Sequence, residues 1–236
     1  PDLDVVVVPI GGGGMMAGIA TAIKAIKPSV ELIGAQVDAY AAVKARIDGY
    51  NAGMGGATLA EGIAVREPSN KNIDIIKKLV SRVEVVNDNQ IEDAIFDLLR
   101  DEKLVAEGAA GAGLAVVKNN LDTLKGKKVG VVICGGNIDS RLLSTLILRG
   151  MIREGRIARL RFEIDDTPGQ LADISRILGE SGANVIEVIH QRMMQTVSLK
   201  RAELDVMIEA RDKFHVDEIV GTLTKRGFKV IVTADV

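Results

Sequence analysis

Residues 5–10 (VVVVPI) form an unbroken, mostly β-branched run, the pattern of a strand buried on both faces of a parallel sheet. Four glycines follow. Residues 15–26 then carry Met, Ala and Ile at helical spacing until a stop near Pro28. Residues 31–37 read as a second strand, 39–48 as a helix and 51–57 as a glycine-dense loop. The pattern continues with a helix over 72–80, a short strand over 82–86 and a helix over 89–100 that Asp88 is placed to cap. A small-residue helix (108–119), a second fully apolar strand (128–134) and a helix (140–148) close the region. This strand–helix alternation predicts an α/β unit over residues 1–150, built on a doubly wound parallel sheet.

The rhythm changes after a charged, glycine-punctuated stretch at 149–156, whose residues 151–156 are the expected linker. Strands are expected at 157–164, 184–194, 201–210 and 229–233, and helices at 167–179 and 214–226, with Pro168 in the first helical turn. The order β-α-β-β-α-β predicts a ferredoxin-like domain over 157–236.

Composition narrows the function classes. Thirty basic against 32 acidic residues give a formal net charge of −2, without the basic excess that nucleic-acid binding requires. No apolar run is long enough to span a bilayer, so no membrane partner is expected. A single cysteine permits no internal disulfide and suits a reducing cytoplasm. The chain starts without Met, and Asp4 leads directly into a buried strand, so these residues are expected to be the interior of a longer protein.

The strongest chemical signal is Gly11, Gly12, Gly13 and Gly14 at a strand-to-helix junction. Glycines let backbone N–H groups approach a ligand, and the following helix presents its positive end, so a phosphate or carboxylate is the natural occupant. Gly12, Gly14 and Ala17 fit a relaxed dinucleotide fingerprint, with Asp38 at the end of the second strand where a ribose-binding acid would sit. That pattern keeps a nicotinamide-dependent oxidoreductase open as an alternative. The second apolar strand favours a different cofactor, because it ends in Cys134-Gly-Gly-Asn137 and delivers a thiol to the carboxyl end of the sheet. His190 and His215 have no Cys or His neighbours at metal-ligand spacing, so both are expected to be structural and no metal is expected. The pair Met193-Met194 reads as core filler.

The segment Pro9-Ile-Gly-Gly-Gly-Gly-Met-Met-Ala-Gly-Ile-Ala20 resembles the phosphate-cradling segment of the pyridoxal-phosphate-dependent threonine and serine dehydratases. Leu59-Ala-Glu-Gly62, Val105-Ala-Glu-Gly108 and Val131-Val-Ile-Cys-Gly-Gly-Asn137 resemble further motifs of that family, in the same order. The resemblance implies that Gly11, Gly12, Gly13 and Gly14 hold the phosphate of pyridoxal 5'-phosphate, that Cys134 meets the pyridine nitrogen, and that Glu107 and Gly62 line the ring. It also places the Schiff-base lysine upstream of the glycine loop. No lysine here sits in a matching motif, so no catalytic residue is assigned and these 236 residues alone are expected to be inactive.

One branch of the family appends a regulatory ACT domain, and Asp165-Asp-Thr-Pro-Gly-Gln-Leu171 resembles its characteristic turn. Asp166, Pro168, Gly169 and Leu171 match that turn, and Asn184 and Ile186 fall at the start of the domain's second strand. The resemblance implies an amino-acid effector there, expected to be branched-chain, usually held at a domain–domain interface. The chain is thus expected to be the carboxyl-terminal portion of a homo-oligomeric, cytoplasmic threonine dehydratase serving isoleucine biosynthesis. Such an enzyme converts L-threonine to 2-oxobutanoate and ammonia, and L-serine to pyruvate, by β-elimination. A non-catalytic amino-acid sensor, built from 157–236 alone, is the remaining alternative.

Overall fold

The computed structural model describes residues 2–53, 55–191 and 201–233. It divides into two compact units, Pro1–Leu143 and Ser144–Val236. In the first, β1 (Val5–Pro9), β2 (Glu31–Val37), β3 (Arg82–Val86) and β4 (Val129–Val131) form one parallel sheet in the order β3-β2-β1-β4. Between the strands run α1 (Gly14–Ile26), α2 (Ala42–Asp48), α3 (Asn70–Leu79), α4 (Asp88–Glu102), α5 (Gly108–Asn119) and the single turn α6 (Leu121–Leu124). Side chains alternate across the strands, and both faces are covered. Val6, Val8, Leu32 and Val83 pack with Met16, Ala20, Val43 and Ile76 of α1, α2 and α3. On the other side α5 lies against β1, β2 and β3, with α4 packed beside it.

The composition of α5 explains that position. Its residues from Gly108 to Gly113 are all buried, and several have no room for a side chain. A Cβ on Gly111 would lie 2.6 Å from Ile95 Cγ1 of α4, and one on Gly113 would lie 3.0 Å from Val131 Cγ1 of β4. The small residues let this helix sit close to its neighbours.

Several predicted boundaries move. The cap of α4 is Asn87, not Asp88: its side chain accepts from Gln90 N–H at 3.0 Å while Gln90 Oε1 accepts from Asn87 N–H at 2.9 Å, a reciprocal capping box. The helix α3 begins two residues earlier than the pattern suggests. The strand expected over 128–134 shrinks to Val129–Val131, half-buried at the sheet edge rather than buried on both faces. An apolar run reports hydrophobicity, but not whether a further strand lies beyond it. Beyond β4, Val132 N–H still donates to Val7 C=O at 3.0 Å before the chain turns away.

The helix α7 runs over Ser140–Arg153, so residues 151–153 of the expected linker are helical. Met151 and Ile152 continue the apolar pattern, and the break comes at Gly155 with φ +70°.

The second unit contains β5 (Ile157–Asp165), α8 (Gln170–Glu180), β6 (Asn184–Gln191), β7 (Arg201–Glu209), α9 (Lys213–Lys225) and β8 (Lys229–Thr233). Its sheet is antiparallel in the order β6-β7-β5-β8, so β7 lies between the two strands joined by α8, the split arrangement expected of βαββαβ. Leu160, Phe162, Leu204 and Val206 face Ile174, Leu178, Ile219 and Leu223 of the two helices, and Phe228 meets Phe162 edge-on. The opposite face carries ion pairs: Asp205, almost fully buried, receives Arg161 through two bonds of 2.8 Å. Pro168 lies ahead of α8 rather than in its first turn, because Gly169 takes φ +99° and cannot be part of the helix. The pair Met193-Met194, and the end of the strand expected over 184–194, lie outside the described residues.

Candidate functional site

The sheet order itself locates a crevice. The chain builds outward from β1 through β2 to β3, then returns to the other side of β1 to form β4. The connection leaving β1 therefore runs toward β2, away from β4, and ligands of open α/β sheets bind at the carboxyl ends of strands where the order reverses in this way. The connection leaving β1 is the four-glycine loop, and the one leaving β4 carries Cys134.

All seven residues expected at the cofactor meet there. Gly11, Gly12, Gly13, Gly14, Gly62, Glu107 and Cys134 line one cavity of about 290 Å3, with Met16 and Ile63 contributing apolar wall. Gly13 is the N-cap of α1 with φ +85°, a left-handed conformation that glycine adopts without strain, and no side chain caps the helix. The positive end of α1 is consequently left to an anion. A Cβ on Gly11 would stand 3.1 Å from Ile63 Cα, so the loop and the Gly62 turn pack more tightly than most side-chain contacts.

Opposite the glycines stands Glu107, at the N-cap position of α5. Its N–H donates to Gly135 C=O at 3.1 Å, tying the two motif loops together. Its carboxylate occupies the space that side chains on Gly62 or Gly135 would need, with their Cβ positions 3.1 and 2.4 Å from Glu107 Oε1. Cys134 is exposed as a residue, while its thiol borders the cavity. Loss of solvent there pushes the thiol above its ordinary value, and the Glu107 carboxylate pushes it further. The sulfur is a neutral S–H at physiological pH.

Two supporting residues escape a reading of sequence alone. Asn72, in the first turn of α3, donates from Nδ2 to Gly12 C=O at 2.9 Å. Asp88 accepts from Thr58 Oγ1 at 2.7 Å and from Leu59 N–H at 3.1 Å, pinning the segment that leads to Gly62. Asp38 does not reach the cavity, and its carboxylate accepts from the neighbouring Ala39 N–H at 2.7 Å.

The second unit gathers its expected residues less completely. Asp166, Pro168, Gly169 and Asn184 are exposed, and Leu171 packs onto the core. Ile186 is the bulged residue where β6 slips register against β7, and it is half exposed. A cavity of about 450 Å3 in this unit is lined by none of these six, but by Ser181, His215, Ile219, Thr222 and Lys225 among others. His215 is buried with both ring nitrogens engaged: Nδ1 accepts from Arg211 N–H at 3.1 Å, and Nε2 lies 2.7 Å from Ser181 C=O. His190 is exposed on β6. Among the described residues no group of three or more Cys, His, Asp or Glu side chains is placed to hold a metal ion, and no helix is long and apolar enough to cross a membrane.

A parallel sheet whose carboxyl end brings a four-glycine loop, an uncapped helix start and a neutral thiol to one cavity suits the class of proteins that hold a phosphate-bearing cofactor. The chain belongs to the pyridoxal-phosphate dependent enzyme family, whose profile matches residues 1–135. It is 40% identical over 232 residues to an L-threonine ammonia-lyase of Thermotoga maritima, covering 98% of this chain and 58% of the relative. An L-threonine ammonia-lyase of Geobacter sulfurreducens is 37% identical over 238 residues, with the same two shares. The chain thus spans somewhat over half the length of the curated relatives it matches. Among solved structures, maize serine racemase superposes with a TM-score of 0.55 at 27% identity, over 63% of this chain and 48% of that one.

The cavity fits the cofactor of the family. The uncapped end of α1 and the four glycines on the cavity wall suit a phosphate, while Gly62, Ile63 and Glu107 line the rest of the same cavity.

Proposed function

We propose that this chain forms the cofactor-phosphate half of a cytoplasmic, homo-oligomeric threonine ammonia-lyase that deaminates L-threonine to 2-oxobutanoate and L-serine to pyruvate. The observation that carries this reading is the convergence of four separate motifs, around Gly11, Gly62, Glu107 and Cys134, on one cavity. The likeness to two L-threonine ammonia-lyases along nearly the whole chain supports the choice of substrate. Bound pyridoxal phosphate supplies the electron sink that β-elimination requires.

The chain's own residues bind and orient. N–H groups of the glycine loop and the end of α1 hold the phosphate without a charged side chain. Cys134, whose thiol is held protonated by lost solvation and the Glu107 charge, would meet the ring nitrogen without delivering a full proton to it, which would moderate the sink compared with a carboxylate partner. Glu107 and Gly62 keep that side of the cavity shaped for a flat ring. The base that removes the α-proton is assigned to a lysine outside these 236 residues, so they alone bind cofactor without turnover.

The proposal extends to the second unit, read as an ACT domain that binds a branched-chain amino acid and reports it to the catalytic part. Its support is the βαββαβ order and the uncapped start of α8 behind Gly169, where backbone N–H groups suit a carboxylate.

The test uses the enzyme that carries this chain together with its lysine-bearing segment. Such an enzyme absorbs visible light, loses that band on borohydride treatment, and releases 2-oxobutanoate from threonine. A colourless protein, or one that converts L-serine to D-serine with no keto acid released, overturns the lyase assignment. Titration with isoleucine or valine gives heat and a shifted threonine response. No response to either amino acid removes the sensor role.

A further inference from the structure

A side chain from a distant helix reaches the glycine loop. Asn72 Nδ2 donates to Gly12 C=O at 2.9 Å across 60 residues of sequence. Asn72 is half-buried and is not among the residues lining the cavity, whereas Gly12 and Gly13 are. The described residues contain no cis peptide bond, so the C=O of Gly12 and the N–H of Gly13 point in opposite directions. With the carbonyl turned toward α3, that N–H points away from Asn72.

The same side chain also packs beneath Gly13, where a Cβ would lie 3.1 Å from Asn72 Cβ. A Gly-Gly peptide flips at little conformational cost, because both residues tolerate positive and negative φ. Flipping would replace the donor on the side away from Asn72 with an acceptor. Asn72 is the described contact that selects between the two orientations.

We propose that Asn72 is a positioning residue for the cofactor phosphate, acting through the Gly12–Gly13 peptide and not by touching the ligand. The inference rests on the reading of this cavity as the pyridoxal-phosphate site and adds the device that sets the polarity of its cradle.

The experiment compares pyridoxal 5'-phosphate with pyridoxal, which lacks only the phosphate, by equilibrium dialysis against the wild-type protein, Asn72→Leu and Asn72→Asp. Leucine matches the size of asparagine without a donor. Aspartate matches its shape and presents an acceptor to the carbonyl. Both variants should lose about tenfold in affinity for the phosphorylated ligand, the size of one lost hydrogen bond to a charged group. Affinity for pyridoxal should stay unchanged. Equal loss for both ligands, or no loss, in the variants overturns the proposal, since a merely structural role does not discriminate between them. Should Asn72→Leu fail to fold by thermal melting, Asn72→Asp carries the same comparison. A wild-type protein that binds the two ligands equally refutes the cofactor reading itself and this inference with it.

Discussion

Gly108 is the position at which a single methyl group should do most damage. It opens α5 immediately after Glu107, and its backbone is helical, so alanine there would ordinarily stabilise the helix by about 0.5–1 kcal/mol. The surroundings reverse the sign. A Cβ at Gly108 would lie 2.0 Å from Leu59 O, 2.4 Å from Leu59 C and 2.7 Å from Ala60 Cα. Every one of these is backbone, so no side-chain rotation relieves the clash. Ordinary contact begins at 3.4 Å, which requires a retreat of about 1.4 Å by α5 or by the loop that carries Gly62. Overpacking of this kind costs about 1–3 kcal/mol, and the upper end applies where both partners are main chain. A misplacement of about 1 Å at a reacting centre costs on the order of a hundredfold in rate. Gly18 is the matched control: it lies within α1, and a Cβ there meets nothing within 4 Å. Urea denaturation should place Gly108→Ala about 2–3 kcal/mol below wild type and Gly18→Ala slightly above it. Equilibrium dialysis should show weakened pyridoxal phosphate binding for the first variant alone. A Gly108→Ala protein with wild-type stability and cofactor affinity would refute the close approach of α5 to the Leu59–Ala60 backbone.

Three further outcomes are expected. Cys134→Ala should weaken cofactor retention by about 1–3 kcal/mol, while Cys134→Ser, which still offers one small donor, stays close to wild type in the same dialysis assay. Alkylation of Cys134 by iodoacetamide should require a higher pH than a free cysteine, because lost solvation and the Glu107 charge both disfavour the thiolate; Glu107→Gln should move that profile to lower pH, and an unmoved profile would show the carboxylate to be remote. Glu31 is partly desolvated, which alone would raise its carboxyl, yet Lys127 and Arg82 outweigh this and hold it below its usual value. A depressed folded-state value contributes stability above the unfolded value and loses it as pH falls through the folded one. Glu31→Gln should therefore lower the urea midpoint near neutrality, with the gap from wild type closing in acid.

The parallel sheet was readable because short stretches rich in Val, Ile and Leu alternate with segments of helical spacing. The bounds of β2, β3 and α5 follow directly from sequence for that reason. What sequence could not carry was relation between distant segments. The apolar stretch before Cys134 looks as buried as β1, and only the strand order makes it an edge. Asp88 and Asn87 are both good caps in isolation; the choice falls to Asn87 because Gln90 reciprocates and Asp88 is engaged by Thr58 and Leu59. At the site, the glycines and Cys134 announced themselves by type and motif. Asn72 did not, since a single asparagine in a helical first turn carries no chemical signature until Gly12 is beside it. In the second unit the helix was expected from 167, three residues before α8 begins behind Gly169, and the bulge that exposes Ile186 arises from pairing with β7 and leaves no local trace.

The walls of the cavity come from four places far apart in the chain, from Pro9 at one extreme to Cys134 at the other. No short segment can form it, and an unfolded chain has nothing equivalent to offer the ligand. Occupancy is therefore thermodynamically linked to folding of the entire first unit. At a free ligand level one hundred times the dissociation constant, that linkage adds about 2.7 kcal/mol to the folded state. Cofactor supply would then bear on the abundance of the protein, since ligand-free molecules would visit the unfolded state on the order of a hundred times more often and meet proteases in proportion.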